Sequence, residues 1–212
     1  MTVRSDAARP DHAPTIRIGV TGHRPVALAD ANISILRAQT HNVLTTLLGA
    51  VYGRPIGVVT SLAEGSDQLV AEEALAVGYT LRCPLPFTRD VYAQDFLGDG
   101  AAERFFNILS RASIVQELPG SRLSKEHEIA AYAAASQRVL READLLLAIW
   151  NGESGRGEGG TFDVVTKAKE RRLPVIWISS MCPHLVQVVF GGEATKFEAS
   201  VVSKLIRSLA SS

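Results

Sequence analysis

Three of the apolar runs in this sequence end in polar, glycine-containing stretches whose residue types can hold a ligand. Gly22-His23-Arg24-Pro25 ends the first and Ser61-Leu62-Ala63-Glu64-Gly65-Ser66-Asp67 the second. Trp150-Asn151-Gly152 leads into a glycine-rich turn that closes on Gly159-Gly160-Thr161. Arg24 carries a planar fork of donors that suits phosphate or carboxylate, or else a surface salt bridge. His23 can donate to a phosphate, exchange a proton near neutral pH, or cap its own turn. Ser66 and Asp67 suit a helix start as capping residues, and in a ligand site Ser61 or Ser66 would take a phosphate and Glu64 or Asp67 ribose hydroxyls. Gly155, Gly157, Gly159 and Gly160 let backbone approach a ligand closely. A helix beginning there aims free N–H groups at an anion, with Thr161 as cap, as phosphate ligand or as both.

Other chemistries are poorly matched. Gly155-x-Gly157-x-x-Gly160 has the spacing of a dinucleotide fingerprint, but it begins five residues after the apolar run, and the next run ends in Trp177-Ile178-Ser179 without an acidic ribose ligand. No GxxxxGK[ST], GxSxG or HExxH occurs. Glu126, His127 and Glu128 are adjacent on an expected helix, where neighbours diverge in direction, so a solvated helix start is expected and no metal site. Arg89 and Asp90, after the third apolar run, are weaker ligand candidates. No cofactor is expected.

The elements that must position these loops follow a βα rhythm. Strands are expected at 16–21, 55–61, 79–86, 113–118, 144–150 and 173–179, each a short β-branched or apolar run stopped by glycine, proline or polar residues. Helices are expected at 28–52, 68–77, 101–111, 126–142 and 161–172. The first has Asp30 or Asn32 as cap, the second closes at Gly78, and the last has a basic C-terminal end. Residues 119–125 form either a lid or a plain connection, 185–190 a short edge strand, and 194–209 a terminal helix packing Phe197, Val201, Val202, Leu205 and Ile206. This pattern predicts a Rossmann-like, doubly wound three-layer α/β sandwich with a mostly parallel sheet of six to seven strands. In such a sheet, loops after a central first strand converge at the switch point.

Composition narrows the partners. Lys plus Arg and Asp plus Glu balance at 22 each, so no global field holds nucleic acid or an anionic membrane. Cys83 and Cys182 form no CxxC motif, consistent with structural thiols in a reducing compartment. The first fourteen residues have no apolar segment, and the expectation is a disordered tail at 1–14 followed by a single cytoplasmic domain over 15–212.

Taken together, Gly19-Val20-Thr21-Gly22-His23-Arg24-Pro25, the Ser61-to-Asp67 motif and Gly157-Glu158-Gly159-Gly160-Thr161 resemble the SLOG superfamily of Rossmann-like domains, named for Smf and Lonely Guy proteins. The resemblance spans 16–179 and rests on three motifs in the right order. That superfamily includes the Lonely Guy phosphoribohydrolases, DNA-processing proteins of bacterial transformation, and sensor domains for ADP-ribose-like or cyclic NAD-derived nucleotides. The resemblance implies a phosphorylated, nucleotide-derived ligand. Gly22, His23, Arg24, Ser61, Leu62, Ala63, Glu64, Gly65, Asp67, Trp150, Asn151, Gly159, Gly160 and Thr161 would line its site. It also implies a homodimer.

One departure bears on turnover. The Lonely Guy signature Pro-Gly-Gly-x-Gly-Thr-x-x-Glu, aligned on Thr161, finds Glu158 where a glycine belongs and Val164 where the glutamate belongs. Asp163 lies one residue early, which on a helix is about 100° of rotation. The expectation is therefore a bacterial-type signalling or defence sensor that binds without turnover. The alternatives are cleavage of an N-glycosidic bond, with Glu64 or Asp163 stabilising an oxocarbenium-like transition state, and handling of single-stranded DNA, which net neutrality disfavours.

Overall fold

The computed structural model describes residues 15–155 and 159–209; the expected tail at 1–14 and Gly157 and Glu158 of the glycine-rich turn lie outside the described residues. Six parallel strands, β1 (Ile16–Gly22), β2 (Ile56–Val59), β3 (Thr80–Leu85), β4 (Ile114–Glu117), β5 (Leu145–Trp150) and β6 (Val175–Ser179), are extended by antiparallel β7 (Val186–Phe190) and β8 (Glu193–Lys196). The sheet order is β4-β3-β2-β1-β5-β6-β7-β8. The chain therefore winds outward from β1 to β4, crosses back, and continues from β5 on the other side of β1. The reversal falls between β1 and β5, paired in register from Ile18↔Leu145 to Gly22↔Ile149.

Both faces of the central sheet are covered, which is why its strands are apolar without alternation. Along β5, Leu145, Leu147 and Ile149 enter the main core, whereas Leu146, Ala148 and Trp150 enter a second core with Val164, Val165 and Ala168. The first face carries α1 (Ile33–Ala50), α2 (Ser66–Val77) and α7 (Ala199–Leu209); the second carries α5 (Lys125–Glu142) and α6 (Thr161–Glu170). Two further helices, α3 (Arg89–Ala93) and α4 (Ala101–Ser110), follow β3.

The described residues differ from the sequence expectations in several places; among them, Arg89–Ala93, expected in a loop, form α3, and α2 is capped by Gly65 rather than by Ser66 or Asp67. The helix expected over 28–52 is shorter: Pro25–Leu28 form a 3₁₀ turn before it, and α1 runs from Ile33 to Ala50, capped by Asn32, whose Oδ1 accepts from Ile35 N–H at 3.0 Å. The sheet has eight strands rather than six or seven, since residues 193–196, expected inside the terminal helix, pair with β7 as β8. Consequently β7 is not an edge strand. β8 is exposed along its whole length and so lacks the apolar alternation that marks a strand in sequence.

Candidate functional site

The three glycine-containing loops meet at the carboxyl ends of β1, β2 and β5, and their backbones are latched together. His23 N–H donates to Ile149 O at 3.0 Å, and His23 O accepts from both the N–H and the hydroxyl of Ser66, each at 3.0 Å. Two glycines are required by these approaches. A Cβ on Gly22 would stand 2.4 Å from Ser66 Cβ and 2.7 Å from Ile149 O. One on Gly65, whose φ is +100°, would stand 2.6 Å from His23 O. The imidazole joins the latch: His23 Nε2 accepts from Asn151 N–H at 3.1 Å, which puts the ring proton of the neutral form on Nδ1. His23 thereby closes the end of β5.

The loop after β2 carries local strain. Leu62 has φ +56° and a fully buried side chain, an unfavourable backbone state for a non-glycine residue unless its surroundings enforce it. Here Leu62 N–H donates to Thr60 Oγ1 at 3.1 Å and Leu62 O accepts from Gln68 Nε2 at 3.2 Å. Because the Thr60 oxygen is accepting, its proton is free to go to Asp67 Oδ2, 2.9 Å away. Asp67 is 7% exposed. Burial pushes its carboxyl up to about 7, against the opposing pull of the Thr60 hydroxyl, the Ala63 N–H and the Arg24 charge.

On the other side of the reversal, Gly159 at φ +77° packs on the α5 backbone at Ala133, and its N–H donates to Asp163 Oδ2 at 2.8 Å. Lys167 Nζ holds the same oxygen at 2.8 Å. Asp163 is partly desolvated, but the lysine and the Gly159 N–H more than offset this and hold its carboxyl below the usual range. This is a capping arrangement in which a first-turn carboxylate reaches back to the residue before the cap. The N–H groups of α6's first turn have no intrahelical acceptor, and no side chain among the described residues caps them.

These pieces enclose a cleft of about 280 Å³ at the β1/β5 reversal. Of the residues expected there, Gly22, His23, Arg24, Ser61, Ala63, Asp67, Gly159, Gly160 and Thr161 line it. Arg24 is exposed, and its guanidinium stands over the Tyr132 ring at 5.3 Å; it forms no salt bridge among the described residues, though its charge reaches Asp67. Five expected residues lie outside the wall. Leu62 points into the core, and Glu64 and Gly65 face a separate depression beside Arg37, Glu72 and Arg104. Trp150 is packed between Phe162 and Trp177. Asn151 turns its amide to Glu153, donating to Oε2 at 2.9 Å. The candidate Asp163 is also absent from the wall, and Val164 is present. The weaker candidate Arg89 pairs with Glu117 at 2.6 Å. In the 119–125 loop, Arg122 contacts Asp95 and Glu128 and stands 4.4 Å from the Phe87 ring centroid.

Sequence reasoning missed Tyr92, Tyr132, Ser136 and Val139, all of which line the cleft. Positions 132, 136 and 139 share one face of α5, a signal visible in the sequence but read as alanine-rich packing. Tyr92 gave none, since α3 has only five residues.

No family model matches the chain, and no curated protein matches it. Among solved structures, it is similar to TM1055, determined as a structural-genomics target, at 21% identity and TM-score 0.49, over 79% of this chain and 76% of that one. It is also similar to DNA processing protein A (DprA) from Streptococcus pneumoniae at 14% identity and TM-score 0.45, over 76% of this chain and half of that protein's length. By its own sheet order and connections, the chain has the Rossmann-like, doubly wound α/β fold implied by its motif resemblance to the SLOG superfamily.

Proposed function

We propose that this protein binds a phosphorylated nucleotide or an NAD-derived, ADP-ribose-like molecule in the cleft at the β1/β5 reversal, as a sensor that does not turn its ligand over. The observation that carries this reading is the pairing of two anion-holding groups in one wall. Arg24, which forms no salt bridge among the described residues, lines the same cleft as the first turn of α6 at Gly160 and Thr161. At about 280 Å³, the cleft lies just below the roughly 300–1,000 Å³ of typical small-molecule sites. It suits one nucleotide unit, with any remainder of a larger ligand extending outward.

The missing carboxylate supports binding over hydrolysis. Where the Lonely Guy signature has its glutamate, Val164 lines the cleft, while Asp163 is occupied by Gly159 and Lys167. One observation favours the enzymatic alternative, cleavage of an N-glycosidic bond. Asp67 is a buried carboxyl in the cleft wall with its pKa raised to about 7, the range in which a side chain can exchange a proton at neutral pH. Incubation with AMP, cytokinin monophosphates, NAD and ADP-ribose separates the two. A rise in melting temperature without released base supports the sensor, released base supports the enzyme, and neither result refutes both. No helix among the described residues is long and apolar enough to cross a membrane. A homodimer is the assembly that the family resemblance suggests, and sedimentation equilibrium reads its subunit number.

A further inference from the structure

The cleft floor holds a polar group that the fold itself leaves unused. Tyr92 is 1% exposed, its ring wedged edge-on against Phe96 at 5.1 Å and Phe105 at 5.6 Å. Buried tyrosine hydroxyls normally find a partner. Buried Tyr79 and partly buried Tyr132 obey this rule: Tyr79 donates to Leu44 O at 2.8 Å, and Tyr132 donates to Asp95. Tyr92 has no such bond among the described residues, yet it lines the cleft and its hydroxyl is not sealed in the core. An otherwise buried side chain thus brings one unpartnered hydroxyl to the ligand space.

The neighbours decide which chemistry suits it. Burial first, and then the Asp67 charge, hold the Tyr92 proton on well above the ordinary range, so at neutral pH the phenol donates. Asp67 lines the same cleft, one of its oxygens already accepting from Thr60. In its ionised form that carboxyl would repel a phosphate, whereas a neutral hydroxyl can pair with Asp67 in either protonation state and accept from Tyr92. The anion is provided for elsewhere in the wall, by Arg24 and the start of α6.

We propose that Tyr92 and Asp67 together read the vicinal hydroxyls of a ribose, so that the cleft selects ribonucleotides over their deoxy counterparts. This rests on the nucleotide reading above and adds a specificity-determining residue to it. A site built to hydrogen-bond a hydroxyl discriminates strongly against the analogue that lacks it, because its own buried group is left unpaired.

The test is calorimetric titration of the wild-type protein and Tyr92→Phe with AMP, 2′-deoxy-AMP and 3′-deoxy-AMP. Phenylalanine keeps the ring and its packing. The wild type is expected to bind AMP at least tenfold more tightly than either analogue, and Tyr92→Phe is expected to shrink that preference several-fold while leaving affinity for at least one analogue unchanged. Equal wild-type binding of all three overturns the inference but leaves the nucleotide reading intact. So does a Tyr92→Phe variant weakened equally for all three, which would mark a phosphate contact or a packing role. Absence of AMP binding overturns both.

Discussion

Replacing Asp67 by asparagine should change how the stability of this protein depends on pH. Asp67 is 7% exposed and its carboxyl is raised to about 7 by burial, whereas an aspartate in an unfolded chain titrates at about 3.9. Between these values the folded state binds more protons than the unfolded one. The favourable contribution is therefore complete below the unfolded value and is lost as pH rises through the folded one. The slope is about 1.4 kcal/mol per pH unit, so the two units between pH 5 and pH 7 are worth roughly 3 kcal/mol to the wild type. The asparagine side chain of the variant has no such titration, and its amide oxygen can still accept from Thr60, which keeps the hydroxyl bond that now lies at 2.9 Å. Urea unfolding at pH 5, 6, 7 and 8 measures both proteins. The free-energy difference should move in favour of Asp67→Asn by up to about 3 kcal/mol from pH 5 to pH 8 and level off above pH 7. Parallel stability profiles would refute the assignment of a raised pKa to this carboxyl.

Further substitutions probe the latch, the anion site and the turn. Gly22→Ala places a Cβ 2.4 Å from Ser66 Cβ and 2.7 Å from backbone, and it should lower the denaturation free energy by about 1–3 kcal/mol or more; an unchanged midpoint would mean the loops are not locked here. Arg24→Ala should leave stability within about 0.5 kcal/mol, since the side chain is exposed and forms no salt bridge among the described residues. The same change should weaken AMP or ADP-ribose binding roughly ten- to a hundredfold if Arg24 holds phosphate, as read by calorimetry. Asp163→Ala removes the acceptor of Gly159 N–H and Lys167 and should cost about 1 kcal/mol in urea unfolding. It should have no effect on any base-release rate; a selective loss of turnover would restore Asp163 as a catalytic group.

Much of the candidate site was legible because its loops have a local logic. Glycine and small polar residues directly after an apolar strand can be recognised without knowing where the chain goes next, and nine of the fourteen expected binding positions line one cleft. The other five include residues that shape it indirectly. Leu62 and Gly65 hold unusual backbone states, Asn151 N–H engages His23, and Trp150 packs the base of the turn. A motif marks a stretch of chain, but side-chain direction within that stretch is set by what the neighbouring elements leave room for.

The sequence alone determined the βα rhythm, the apolar strands buried on both faces, the three loop motifs and the absence of a carboxylate at Val164. Each follows from local residue chemistry and periodicity. Tertiary structure decided what those loops face. Sheet order, set by packing across the whole chain, puts β5 beside β1, so that Arg24 meets Tyr132 from a helix more than a hundred residues later and Tyr92 reaches the same cleft as Asp67. Burial, which sequence shows only as a tendency, then turns Asp67 from an ordinary N-terminal helix residue into a carboxyl that titrates near neutrality.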